Sequence, residues 1–116
     1  MSTLQEKNFN YFLNCYYTTM EQYEEFFDKF KLEDVMLNTD MNNLDSLIKT
    51  NKDLRKQWDK VREIAANDPE SSQEARAIAS QLFGIVGGMR RHIKTFQPVC
   101  SARFDEDDEL EVVVCP

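Results

Sequence analysis

Apolar residues recur at alternating steps of four and three through most of this chain, and no other feature limits its folding so tightly. From Phe9 the series runs Leu13, Tyr16, Met20, Tyr23, Phe27 and Phe30. A mean step of about 3.5 keeps these side chains on one helical seam, the arrangement that lets one helix lie along another. A second series reads Leu44, Leu47, Asn51, Leu54, Trp58, Val61 and Ala65. A third reads Ala75, Ile78, Leu82, Ile85, Met89, His92 and Phe96, with Ile93 beside His92. The expected fold is therefore all-α: three long helices near 4–31, 40–66 and 69–96, each about 38 Å long, in an elongated antiparallel bundle. Two polar residues interrupt the seams. Asn51 either fixes the register of its helix or marks a partly wet seam position. His92 reads as a helix-end residue rather than a catalyst.

Punctuation supports these boundaries. Asp68-Pro69 reads as an N-cap followed by the first residue of a helix. Thr39 or Asp40 can cap the second helix, and Pro98 stops the third. The short break at Asn67-Asp68-Pro69 makes helices two and three antiparallel neighbours. The longer connection from Lys31 to Asn38 holds Leu32, Val35, Met36 and Leu37, so it is expected to pack. Leu4, Phe12, Phe26 and Leu37 are the candidates for a second apolar stripe. All three glycines, Gly84, Gly87 and Gly88, fall inside the third helix. Gly84 and Gly88 share a face, which allows either close approach of another helix or a local kink. The stretch follows no strand and lacks the spacing of a nucleotide-binding turn.

Charge divides the chain differently. It carries a net charge of -7, of which residues 105–116 supply six through Asp105, Glu106, Asp107, Asp108, Glu109 and Glu111. The helical part, residues 1–98, is thus a nearly neutral domain, and residues 99–116 form an acidic second module. A basic nucleic-acid footprint is not expected. Arg90, Arg91, His92 and Lys94 make one basic cluster, which suits the C-terminal dipole of a helix. Three widely spaced cysteines, Cys15, Cys100 and Cys115, do not make a disulfide framework, and none forms the close pair that structural zinc favours. No signal-peptide pattern and no membrane-length apolar run is visible. One histidine with no nearby nucleophile gives no catalytic constellation.

The second module ends in FDEDDELEVVVCP. An acidic run beside a β-branched strand suits addition to the sheet edge of a partner. Asp107, Asp108, Glu109, Leu110, Val112, Val113 and Val114 are then the binding segment, in the layout of a SUMO-interacting motif. The alternative is that Val112–Val114 is the first strand of a domain that follows.

These features together resemble the SUMO E3 ligase subunit of the SMC five–six complex. NFNYFLNCYYTTMEQ looks like that family's first helix, and DEDDELEVVVCP like its acidic linker and the Cys-Pro entry to a SIZ/PIAS-type RING. The resemblance implies a helical region docked on the coiled-coil arm of an SMC protein, in the nucleus, in DNA repair and SUMO conjugation. It also implies SUMO as a second partner. The family's zinc ligands come after the Cys-Pro and are not in these residues, so the expectation is a non-catalytic docking part with no cofactor. Zinc is expected only where a RING follows, and no metal role passes to Cys115. The partner-facing seam would draw on Phe9, Leu13, Tyr16, Met20, Tyr23, Phe27, Phe30, Leu47, Leu54, Trp58 and Val61. Two other readings fit the residues alone: a small acidic, cytoplasmic inhibitor or immunity-type protein, and a self-associating helical bundle.

Overall fold

The computed structural model describes residues 4–96, 101–104 and 110–113. Four helices make up the body: α1 (Leu4–Gln22), α2 (Glu24–Phe30), α3 (Leu44–Asn67) and α4 (Ser72–Lys94). Two short strands follow, β1 (Ser101–Phe104) and β2 (Leu110–Val113).

The expected first helix is thus two. Tyr23 leaves helical geometry at φ -121° and ψ 33°. The backbone bonds from Tyr23 N–H to the Thr19 carbonyl and from Phe27 N–H to the Tyr23 carbonyl still cross the break. No proline or glycine marks it, which is why the seam reads through it. α2 stops at Lys31, which takes the left-handed conformation at φ 54°. The Lys31 amide bonds the Asp28 carbonyl and the Leu32 amide reaches back to Phe27, the paired closure of a Schellman motif.

Two expected caps move. α3 is capped by Asn43, whose side chain accepts from the Ser46 amide at 3.2 Å, not by Thr39 or Asp40. Asp40 instead receives the Asn42 amide, and the Thr39 hydroxyl pairs with that of Thr50 at 2.6 Å. Asp68 does not start α4. Its amide closes α3 on the Ile64 carbonyl, and its carboxylate accepts from the Glu70 amide in the turn through Pro69. Asp followed by Pro is as favourable in a β-turn as at a helix start. α4 begins only at Ser72.

α4 is the shared partner, packed against both α1 and α3. Along α3, Ala65 meets Ser72, Trp58 meets Phe83 and Asn51 meets Val86. Along α1, Thr19 meets Gln81, Phe12 meets Gly88 and Phe9 meets His92. In both sets the contacts ascend one helix while descending the other. α4 accordingly buries the broadest stripe, with Ala75, Ile78, Leu82, Ile85, Val86, Met89, His92 and Ile93 all in the core.

The polar seam residue Asn51 is 2% exposed and donates through Nδ2 to the Val86 carbonyl at 3.1 Å. It is not a wet position. A buried amide with one matching carbonyl on the facing helix tolerates no sliding of α3 along α4. His92 does lie at a helix end, in the last turn of α4. It is buried, while Arg91 and Lys94 of the same cluster are exposed.

The connection between α2 and α3 packs in part. Met36 is fully enclosed and Leu32 and Val35 half-buried, but Leu37 points outward. Tyr16 holds this connection down. Its hydroxyl lies 2.6 Å from the Glu33 carbonyl and 2.9 Å from Gln57 Oε1, and Gln57 Nε2 also donates to that carbonyl. One phenolic proton serves one acceptor at a time, so the three groups act as a unit joining α1, the connection and α3. Burial pushes the Tyr16 phenol up to about 12.

β1 and β2 pair antiparallel in the register Ser101 with Val113 and Phe104 with Leu110. The strand expected around the valines therefore forms, and one of its edges is taken by this chain. Val114, Asp107, Asp108 and Glu109 lie outside the described residues, as do Pro98, Cys100 and Cys115.

Candidate functional site

The expected seam residues do not share one partner-facing surface. Phe9, Tyr16, Phe27, Leu47, Leu54 and Val61 are buried in the chain's own core, and Leu13, Met20, Tyr23, Phe30 and Trp58 are half-buried against it. The seams hold the body together. Of the candidate second stripe, Phe26 is buried and Phe12 half-buried, while Leu4 and Leu37 are 73% and 65% exposed. Two further apolar side chains stand out of the surface, Tyr11 at 65% and Phe83 at 63%.

Tyr11 and Phe83 line two grooves, one on each side of α4. The first runs between α1 and α4. Its walls include Tyr11, Phe12, Cys15, Thr18, Gln81 and Gly84, and it encloses about 490 Å³. Leu4 and Tyr11 are one heptad apart, so both sit on the outer face of α1. A Cβ added at Gly84 would meet nothing within 4 Å, so the α4 backbone lies open there. At Gly88 the same Cβ would come within 2.5 Å of Phe12 Cε1. The two glycines share a face but not a purpose: Gly88 admits Phe12, and Gly84 admits none of the described side chains.

The second groove lies between α3 and α4. Trp58, the only tryptophan, has its indole 5.6 Å from the Phe83 ring. The guanidinium carbons of Arg55 and Arg62 lie over the indole at 4.5 and 4.8 Å. Trp58 was expected as an ordinary seam residue. It occupies that position, but the flanking arginines hold its outer part at the surface, which apolar periodicity alone does not reveal.

Near the end of α4, His92 sits among Phe9, Phe12 and Phe96, with ring centroids 6.5, 6.0 and 5.2 Å away. Among the described residues neither ring nitrogen has a hydrogen-bond partner. Burial lowers its pKa. This surrounding disfavours the charged imidazole.

Among the described residues no group of three or more His, Cys, Asp or Glu side chains could hold a metal ion, and no helix is long and apolar enough to cross a membrane. Cys15 is a free, half-buried thiol. No protein-family model, no curated protein and no solved structure matches this chain. Function has to be argued from the two grooves and the hairpin.

Proposed function

We propose that this chain is a non-catalytic docking subunit of the SUMO-ligase type, which lies along the coiled-coil arm of an SMC protein in nuclear DNA repair. In this reading its rods form an elongated antiparallel bundle, and the α1/α4 groove receives a strand of the arm. The observation that carries it is the pairing of Leu4 and Tyr11. They are large, exposed and a heptad apart on α1, beside open backbone at Gly84. A partner with heptad periodicity meets such positions at each repeat, and a glycine facing it permits close helix approach. The hairpin supports the second partner. The edge of β2 away from β1 would accept a SUMO strand, with the acidic residues beside it meeting basic groups.

Co-purification with a recombinant SMC coiled-coil arm fragment tests the reading. The wild-type chain is expected to bind. Tyr11→Glu and Gly84→Leu are expected to weaken binding at least tenfold while leaving the thermal midpoint within a few degrees. Absence of binding overturns the reading. Binding unchanged in both variants moves the interface off this groove.

A further inference from the structure

We infer that the α3/α4 groove is a docking site for an acidic amphipathic helix, separate from the α1/α4 face and beyond the SMC reading. The groove measures about 460 Å³ and is floored by small side chains, Ala65, Ala66, Ala79 and Ser80, between the Trp58–Phe83 pair and two cationic rims. Arg62 rises from α3 and Arg76 from α4, both exposed, and none of the described residues lining the groove is a carboxylate. Two helices side by side with a small-residue floor leave the trough that a third helix fills.

Charge selects the occupant. The helical body is nearly neutral, six of the chain's seven net negative charges lying in residues 105–116, and this face of it presents arginines. A guanidinium stacked on an aromatic ring keeps its in-plane N–H donors directed sideways, where they meet a carboxylate in bidentate fashion. Stacking also removes rotamer freedom before the partner arrives. Arg55 is bridged to Asp59 at 3.5 Å, which ties down that end of the ladder. Arg62 and Arg76 line the groove from its two sides, so carboxylates on the two flanks of a partner helix meet one each. A nucleic-acid base is the poorer fit, because two guanidiniums already lie over the indole.

Trp58 is its own reporter. Two synthetic helical peptides, identical except for Glu or Lys at the positions flanking their apolar face, are titrated against the full chain while Trp58 fluorescence is followed. The Glu peptide is expected to give a saturable change that weakens at least tenfold between low and physiological salt. Arg62→Glu with Arg76→Glu is expected to abolish it while the circular dichroism melt stays cooperative and falls only by the small loss of the Arg62 stack on Trp58. Phe83→Ala is expected to weaken it. An equal or larger change with the Lys peptide overturns the proposal. So does full binding by the double variant, or tighter binding of a single-stranded oligothymidylate to the same site. Self-association of the chain that the double variant abolishes would also overturn it, by giving the groove to a second copy. Retained binding of the SMC arm by the double variant is expected and leaves the docking reading standing, so the two fail separately.

Discussion

His92 shows how local terms compete at one residue. It lies in the last turn of α4, where the helix dipole favours a cation by roughly 0.3–1 kcal/mol. Enclosure by three phenylalanines opposes the charge more strongly, because leaving one buried polar group unpaired already costs about 1–3 kcal/mol and a charged one more. Burial wins and the pKa falls. The sign for stability follows. Above the ordinary histidine pKa of about 6.5 the ring is neutral in folded and unfolded chains alike. Below it the unfolded chain binds the proton first, so stability declines as pH falls toward the lowered folded value. His92→Leu is expected to remove this component. Thermal melts at pH 7.5 and 5.5 should show a smaller loss for the variant than for wild type, and about 1 kcal/mol more stability at pH 7.5. Equal pH dependence in the two proteins would show that His92 does not titrate in this window.

At the scale of one helix, the glycines of α4 give a paired experiment. An exposed glycine in a helix interior costs about 1 kcal/mol relative to alanine. Gly84→Ala is expected to recover most of that, because its new methyl group meets nothing. Gly88→Ala has the same propensity gain but must displace the Phe12 ring, which also packs on His92. It is expected to be neutral or destabilising, and urea midpoints of the two variants decide. The seams of α3 and α4 were legible in the sequence because both faces of that contact are buried and the period survives intact. The break at Tyr23 was not, since it is set by how the following aromatics Phe26 and Phe27 reach the core rather than by a breaker residue. The start of α3 was ambiguous for another reason: Asn38, Thr39, Asp40, Asn42 and Asn43 can all cap, and only tertiary packing of Met36 and Thr50 chooses among them. The grooves were the least legible. Tyr11 and Phe83 lie off the seams, and the stacking of Arg55 and Arg62 on Trp58 is a side-chain arrangement with no apolar period.

For the molecule as a whole, the shared position of α4 means that α1 and α3 depend on it more than on each other. What joins them directly is the unit of Tyr16, Gln57 and the Glu33 carbonyl. Tyr16→Phe is expected to cost about 1–3 kcal/mol, because Gln57 and the carbonyl lose a buried partner. With the phenol held near 12 against about 10 in the unfolded chain, its contribution is complete below pH 10 and is lost as pH rises through the folded value. Absorbance titration of tyrosinate should show that the phenol ionising near 12 is absent from the variant.

The Tyr16–Gln57 contact also spans 41 residues of chain. The α3–α4 contacts, by comparison, begin across a turn of a few residues. Closing a long loop has an entropic cost before any contact rewards it, so the local hairpin of helices is expected to assemble first and α1 last. A tyrosine hydroxyl that looks like a structural detail thereby becomes the final catch in the folding sequence. Its removal should leave the folding rate nearly unchanged and speed unfolding, releasing α1 from a pair of helices that are already in place.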